Sequence, residues 1–140
     1  VPHIVEVDRL GEPRYHGPAG SVAYVPSEAA LKFHLRRFIE CTRSISSDAA
    51  VLRQRWLEAY ALVTPRGANM LSAYVSQAGN DPFKRAQEER VTAEVLAMLR
   101  VSADTWQIDW REARWDKRGY PLGEPVTWRA MVKVVIEPPK

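Results

Sequence analysis

The 140-residue sequence is poor in the residues that build reactive sites. Its single cysteine, Cys41, cannot form an internal disulfide or a cysteine-rich zinc site. Its three histidines, His3, His16 and His34, have no carboxylate at metal-ligand spacing, and the seven glycines are too scattered for a phosphate-binding loop. The sequence therefore predicts no metal site and no cofactor.

Long hydrophobic runs and a signal peptide are also absent. No segment approaches the ~18 continuous apolar residues of a membrane span, and no targeting segment is recognisable at the N-terminus. Because the chain begins with Val1 and not with methionine, we expect it to be a piece of a longer protein that carries such a segment.

The charge is modest and dispersed. Twenty basic and 17 acidic residues give a formal net charge of +3. The densest basic spots are the pairs Arg36–Arg37, Lys84–Arg85 and Lys117–Arg118, which is the pattern of a solvated surface and not the basic stripe of a nucleic-acid binder. We therefore expect no direct nucleic-acid partner. With 46% apolar and 26% charged residues, residues 1–140 are predicted to form a single globular domain.

The first half of the chain has helical periodicity. Ser27 follows a proline and precedes an apolar face at helical spacing, so a first helix is predicted at 27–46 with Ser27 as its N-cap. Asp48 is the predicted N-cap of a second helix that ends by Pro65. A third helix is predicted at 67–78.

The second half has the alternation of β-strands. From Glu88 the apolar residues recur at every second position, and long strands are predicted at 91–101, around Trp106–Trp110 and at 126–136. Short turn sequences join them, so they are predicted to be antiparallel neighbours. The face of the first long strand is predicted to hold Val91, Ala93, Val95, Ala97, Leu99 and Val101.

The N-terminal segment adds one short strand to this prediction. It is placed at 3–9, and 14–26 is assigned to a loop with a short extended piece at 21–24. Helices followed by a run of strands indicate an α+β fold. We expect a curved antiparallel sheet of about four strands against three or more helices, and by analogy an NTF2-like cone.

Four segments together resemble a known family. They are VEVDRLG at 5–11, LRQRWLEAYALV at 52–63, DPFKRAQEERVTAEV at 81–95 and DTWQIDWRE at 104–112. In this order they resemble the periplasmic domain of the TrbF and VirB-eight family of conjugation and type IV secretion proteins. Members of that family continue with an Asn-Pro-x-Gly turn and a further strand, which this chain lacks; we expect the sheet edge beside the last strand to be incomplete.

The resemblance implies a non-enzymatic assembly subunit. Family members have a short cytoplasmic tail, one membrane helix in the bacterial inner membrane and this domain in the periplasm. They self-associate and contact other secretion-channel subunits. We therefore expect this domain to form a weak homodimer. The alternative is a small NTF2-like enzyme or a ligand-binding module for a hydrophobic molecule, with a base inside the cone.

The residues themselves give the alternative little support. Asp109 and Glu112 lie on opposite faces of one strand, the adjacent Glu88 and Glu89 are predicted to be solvated, and Cys41 has no identifiable base beside it. No catalytic residue is predicted. The predicted strands carry three tryptophans, Trp106, Trp110 and Trp128. They could line a ligand pocket, but aromatic residues on strands more often pack in the core or in cross-strand pairs.

One face of the first helix is the predicted protein interface. If Leu31 and Leu35 face the core, Phe33 points to the opposite side, where an aromatic anchor rimmed by arginines suits a weak contact. In the related family the first helix is implicated in self-association, which favours this face. The predicted interface consists of Phe33, Arg36, Arg37, Glu40, Cys41 and Ser44.

Overall fold

The computed structural model describes residues 7–8, 14–16 and 27–137 of the chain. Two short strands come first, four helices follow, and three long strands end the described chain. The elements are β1 (Val7–Asp8), β2 (Arg14–His16), α1 (Glu28–Arg43), α2 (Ala49–Ala61), α3 (Pro65–Ser76), α4 (Pro82–Arg85), β3 (Glu89–Arg100), β4 (Thr105–Asp116) and β5 (Val126–Glu137).

The helices begin where side chains can satisfy free backbone N–H groups. Ser27 accepts from the N–H of Ala30 at the start of α1, and Asp48 accepts from two N–H groups at the start of α2. Both predicted N-caps are confirmed. Thr64 caps α3, where Pro65 occupies the first turn, a position that tolerates a residue without an N–H group.

The three long strands form the predicted antiparallel meander. β4 pairs with β3 on one side and with β5 on the other. β1 pairs antiparallel with β5 at Val7–Val134, and β2 pairs with β5 in parallel from Arg14–Val135 to His16–Glu137. The predicted α+β class is therefore confirmed, with three long strands and two short ones. The loop predicted at 14–26 is wrong for 14–16, and the extended piece at 21–24 lies outside the described residues.

The face predicted for the first long strand is wrong beyond its midpoint. Val95 pairs with Trp110 and Ala97 with Asp109, so Leu96 is an extra residue in β3, a β-bulge. Because side chains alternate with a period of two, one extra residue exchanges the faces. Met98 consequently pairs with the inward-facing Ile108, whereas Leu99 and Val101 are exposed.

The core lies between the helices and one face of the sheet. Its largest fully buried side chains include Trp106 on β4 and Phe38 on α1. The α1 face predicted to point inward is buried, so the helical periodicity correctly located the core. The hydrophobic cluster includes Leu31, Leu35, Phe38, Ile39, Leu52, Trp56, Leu71, Trp106, Ile108, Trp110, Val132 and Val134.

The helix layer does not cover the whole sheet. Trp128 lies opposite the buried Trp110, so both point to the helix side, yet Trp128 is 45% exposed. Val126, two residues earlier on β5, is also exposed. The uncovered start of β5 opens a cleft beside the C-terminus of α1.

Candidate interaction surfaces

The first surface is this cleft, which we call the Arg43 cleft. It encloses about 690 Å³ and is lined by Arg43, Tyr74, Trp128 and two glutamates, Glu89 and Glu112, among others. Arg43 is the last residue of α1, where a cation also interacts favourably with the helix dipole. The helix end, α3 and the sheet thus meet at one guanidinium group.

Arg43 is fixed by a buried hydrogen-bond network. Its Nε donates to Glu112 Oε2 at 2.5 Å, and its Nη1 donates to the Tyr74 hydroxyl at 2.6 Å. Trp110 Nε1 also donates to Glu112 Oε2, at 2.7 Å. The guanidinium carbon lies 4.9 Å from the centre of the Trp128 ring, within cation–π range. The Trp128 ring therefore packs on the Arg43 guanidinium group and presents an exposed aromatic surface in the cleft.

The electrostatics favour the charged state of this arginine. Burial opposes the charge and by itself lowers the pKa of Arg43. The hydrogen bond and negative charge of Glu112, with help from Tyr74, outweigh burial, and the pKa of Arg43 is raised above its usual value. The group is therefore a permanent cation and cannot serve as a proton donor or acceptor near neutral pH.

A second ion-pair cluster lines the same cleft. Glu89 on β3 accepts from Arg85 Nε at 2.9 Å and from Arg114 Nε at 3.0 Å. Burial raises the pKa of Glu89, but its bonds to Arg114 and Arg85 outweigh this and lower the pKa below the usual value. The prediction that Glu89 is solvated is wrong, because two arginines from different elements converge on it and allow it to be buried.

The second surface is the predicted face of α1. Phe33 is 60% exposed and packs edge to face with His34, and Arg36 is exposed one turn along the helix. Glu40 and Arg37 are half-buried. Arg37 Nη2 donates to Glu58 Oε2 on α2 at 2.5 Å, so its position is set by the second helix. We call Phe33, Arg36, Arg37 and Glu40 together the exposed α1 face.

Two predicted members of the interface are not on this face. The Cys41 side chain is inaccessible to solvent, and its Sγ lies 2.7 Å from Glu58 Oε2, because α2 packs across that side of α1. Ser44 is only 9% exposed, because the adjacent Ile45 forms a β-bridge with Val91 and draws the chain onto the sheet. Helical spacing alone could not reveal either covering element.

The surroundings of Cys41 also make its thiol unreactive. Burial, the hydrogen bond to Glu58 and that residue's negative charge raise the pKa of Cys41 to about 12. A thiol with such a pKa is almost wholly protonated at neutral pH, and the thiolate is the nucleophilic form. Within the described residues no three His, Cys, Asp or Glu side chains converge on a metal position.

Comparisons with known proteins identify the family. The family model described as VirB8 protein matches residues 1–140. The chain belongs to the VirB8 family. It is 29% identical to the conjugal transfer protein TrbF of Rhizobium radiobacter over all 140 residues, which correspond to 63% of that protein. The chain therefore spans less than two thirds of the curated relative that it matches.

Solved structures of TrwG and VirB8 proteins share the fold. The soluble domain of TrwG type IV secretion machinery from Bartonella grahamii superimposes with a TM-score of 0.68 at 10% identity, over 78% of this chain and 75% of that one. Agrobacterium tumefaciens VirB8 gives a TM-score of 0.63 at 18% identity, over 84% of this chain and 77% of that one. The fold is the NTF2-like α+β fold of these domains. In the described part of the chain, no helix has the length and apolarity to cross a membrane.

Proposed function

We propose that this chain is the periplasmic domain of an inner-membrane subunit of a conjugative type IV secretion system. Its role is structural: it assembles the machine through protein–protein contacts and catalyses no reaction. The observation that carries the proposal is the match of the VirB8 family across all 140 residues. The relative named as a conjugal transfer protein supports the conjugative setting.

The geometry of the cleft favours a scaffold over the alternative, an enzyme or a binder of a hydrophobic molecule. An enzyme of this fold would place an unpaired acid or base in a closed apolar pocket. Here the two buried carboxylates at the cleft, Glu89 and Glu112, are both held by arginines. The walls carry four cations and four carboxylates, so the cleft is charge-balanced; these are Arg43, Lys84, Arg85, Arg114, Glu88, Glu89, Glu112 and Glu124.

The exposed α1 face is the proposed site of self-association. Phe33 offers a large apolar surface and Arg36 a charged margin, a composition found at protein interfaces. We propose a weak homodimer, because burial of one phenylalanine contributes roughly 1.5–3 kcal/mol. Membrane anchoring of the full-length protein would raise the local concentration enough for a weak contact to form.

A mating assay tests the functional proposal. Removal of the gene for the full-length protein from donor cells is expected to abolish plasmid transfer, and the full-length protein is expected to restore it. A version with Cys41→Ala is expected to restore transfer as well, because no chemistry depends on the thiol. Undiminished transfer without the gene would show that the proposed role is wrong.

The periplasmic location is tested separately. Alkaline phosphatase folds to an active enzyme only where disulfides form, in the periplasm. Fusion of this enzyme after Lys140 of the membrane-anchored protein is expected to give active phosphatase in intact cells. An inactive fusion present at normal abundance would place the domain in the cytoplasm.

A further inference from the structure

A second cavity, away from the Arg43 cleft, has an unbalanced charge. It lies where the loop between α1 and α2 meets β3 and the end of β4, and it encloses about 490 Å³. Arg55 of α2 and Arg90 of β3 both line it, and no aspartate or glutamate does. We call it the Arg55–Arg90 pocket. It differs from the Arg43 cleft, where cations and carboxylates are equal in number.

Within the described residues, neither arginine has a charge-neutralising partner. Among the described residues, no ion pair or hydrogen bond links the guanidinium group of Arg55 or Arg90 to a partner, whereas Arg85 and Arg114 are both paired with Glu89. Three carboxylates are adjacent in sequence to residues that line the pocket. Glu89 is paired with Arg85 and Arg114, and Asp116 Oδ1 accepts from the N–H groups of Arg118 and Tyr120. The third is Asp48. Its Oδ1 accepts from the N–H groups of Ala50 and Val51, so it caps its own helix. Two cations thus share one pocket with their donors available.

The remaining walls add hydroxyl groups and one aromatic ring. Ser46, Ser47 and Thr92 line the pocket with the arginines. Ser46 Oγ accepts from the Asp48 N–H at 3.1 Å, so its own proton is left to donate. Trp115 is the β4 residue directly opposite Arg90 in the sheet and closes one side. The donors thus come from three segments, the loop between α1 and α2, α2 and β3, and β4 adds the aromatic ring.

From this geometry we infer that the Arg55–Arg90 pocket binds an oxyanion of the phosphate class. Each guanidinium presents five N–H donors in a planar fork, and the hydroxyls add three more. Two arginines from different elements and three hydroxyls offer more donors, in more directions, than a carboxylate with two oxygens accepts. A phosphoryl group has three acceptor oxygens in a tetrahedral arrangement and suits the set better. The inference is independent of the proposed self-association through α1.

Amide NMR on the 140-residue chain at low ionic strength tests the site, with inorganic phosphate as the probe and chloride at equal ionic strength as the blank. Saturable shifts are expected at Ser46, Ser47, Thr92 and Gly119. Arg55→Gln and Arg90→Gln are each expected to weaken binding about tenfold or more, because each removes charge-assisted hydrogen bonds. Arg53→Gln, an exposed arginine on the same helix, removes the same charge outside the pocket and is expected to leave the affinity unchanged.

A vesicle experiment distinguishes two sources of the phosphate group. Co-sedimentation with phosphatidylglycerol vesicles that is lost in Arg55→Gln and kept in Arg53→Gln would support the site with a lipid headgroup as its ligand. Phosphate shifts without such vesicle binding would support the site with a free phosphate compound as its ligand.

Three results would overturn the inference. One is the absence of a saturable phosphate shift at the pocket amides. Another is an equal loss of affinity in Arg53→Gln and Arg55→Gln, which shows only general charge attraction. The third is a glutamate-rich peptide that shifts the pocket amides where phosphate does not, which would assign the pocket to an acidic protein partner.

Discussion

Arg43 at the end of α1 and Glu112 in the middle of β4 are joined by two hydrogen bonds, although 69 residues separate them in the sequence. The side chains are 11% and 5% exposed, respectively. The pair fixes the helix end to the sheet, and Glu112 also accepts the indole proton of Trp110. The exposed ring of Trp128 lies on the same guanidinium. This pair therefore joins the helix end, the sheet and the Trp128 ring at the Arg43 cleft.

Removal of one member of this pair is expected to destabilise the domain strongly. Arg43→Met leaves Glu112 as a buried charge without its cation, and such losses cost about 3–5 kcal/mol. Urea denaturation of the variant and the wild type measures the difference. Asp109→Asn is the control. Asp109 lies on the face of β4 opposite to Glu112 and forms a surface ion pair with Arg129 of β5. Loss of that pair is expected to change stability much less. Equal effects of the two substitutions would contradict this account of the cleft.

The thiol of Cys41 is expected to resist modification in the folded protein. It is buried, and its pKa of about 12 leaves almost no thiolate at pH 8. A disulfide reagent such as dithiobis-nitrobenzoate should react with it only after denaturant is added. Rapid labelling of the native protein at the rate of the unfolded chain would show that α2 does not cover this side of α1.

Glu89 is expected to make stability depend on pH in the acid range. Its pKa in the folded protein lies below its ordinary value of 4.5, because Arg114 and Arg85 hold the charged form. A carboxylate with a depressed pKa stabilises the fold above its unfolded pKa, and this contribution is lost as the pH falls through the folded value. Glu89→Gln should therefore be less stable than the wild type at pH 7, and the gap should close below pH 4.5.

Urea midpoints of both proteins from pH 7 to pH 3 measure this gap. Glu88→Gln is the matched control, because Glu88 is the exposed neighbour of Glu89 in the chain. A gap between the wild type and Glu89→Gln that is independent of pH would mean that the charge of Glu89 contributes nothing to stability.

Local features of this fold were predictable from the sequence, because neighbouring residues determine them. Ser27 and Asp48 cap their helices through bonds to N–H groups two or three residues away, and that pattern is visible in the sequence. The inward face of α1 and the alternation in β4 follow from the same short-range periodicities. These features were sufficient to predict the α+β class and the order of the helices and strands.

The errors involve contacts between distant segments. The bulge at Leu96 went unseen because residues 95–99 are all apolar, so either face could have been the inward one. Cys41 and Ser44 were placed on an exposed face because nothing on α1 itself reveals that α2 and β3 cover them. The buried carboxylates could have been suspected only from their tertiary partners, since Glu89 is adjacent in sequence to the exposed Glu88.

We propose that the domain works through protein contacts, with Phe33 at the centre of a weak homodimer. Sedimentation equilibrium of the wild-type domain, Phe33→Glu and Phe83→Glu tests it most directly. Phe83 is another exposed phenylalanine, on α4, and serves as the matched control. We expect reversible dimers of the wild type and Phe83→Glu, and association about tenfold weaker or more for Phe33→Glu, because a buried phenylalanine contributes roughly 1.5–3 kcal/mol. Equal association constants for all three proteins, with intact circular dichroism, would contradict the claim.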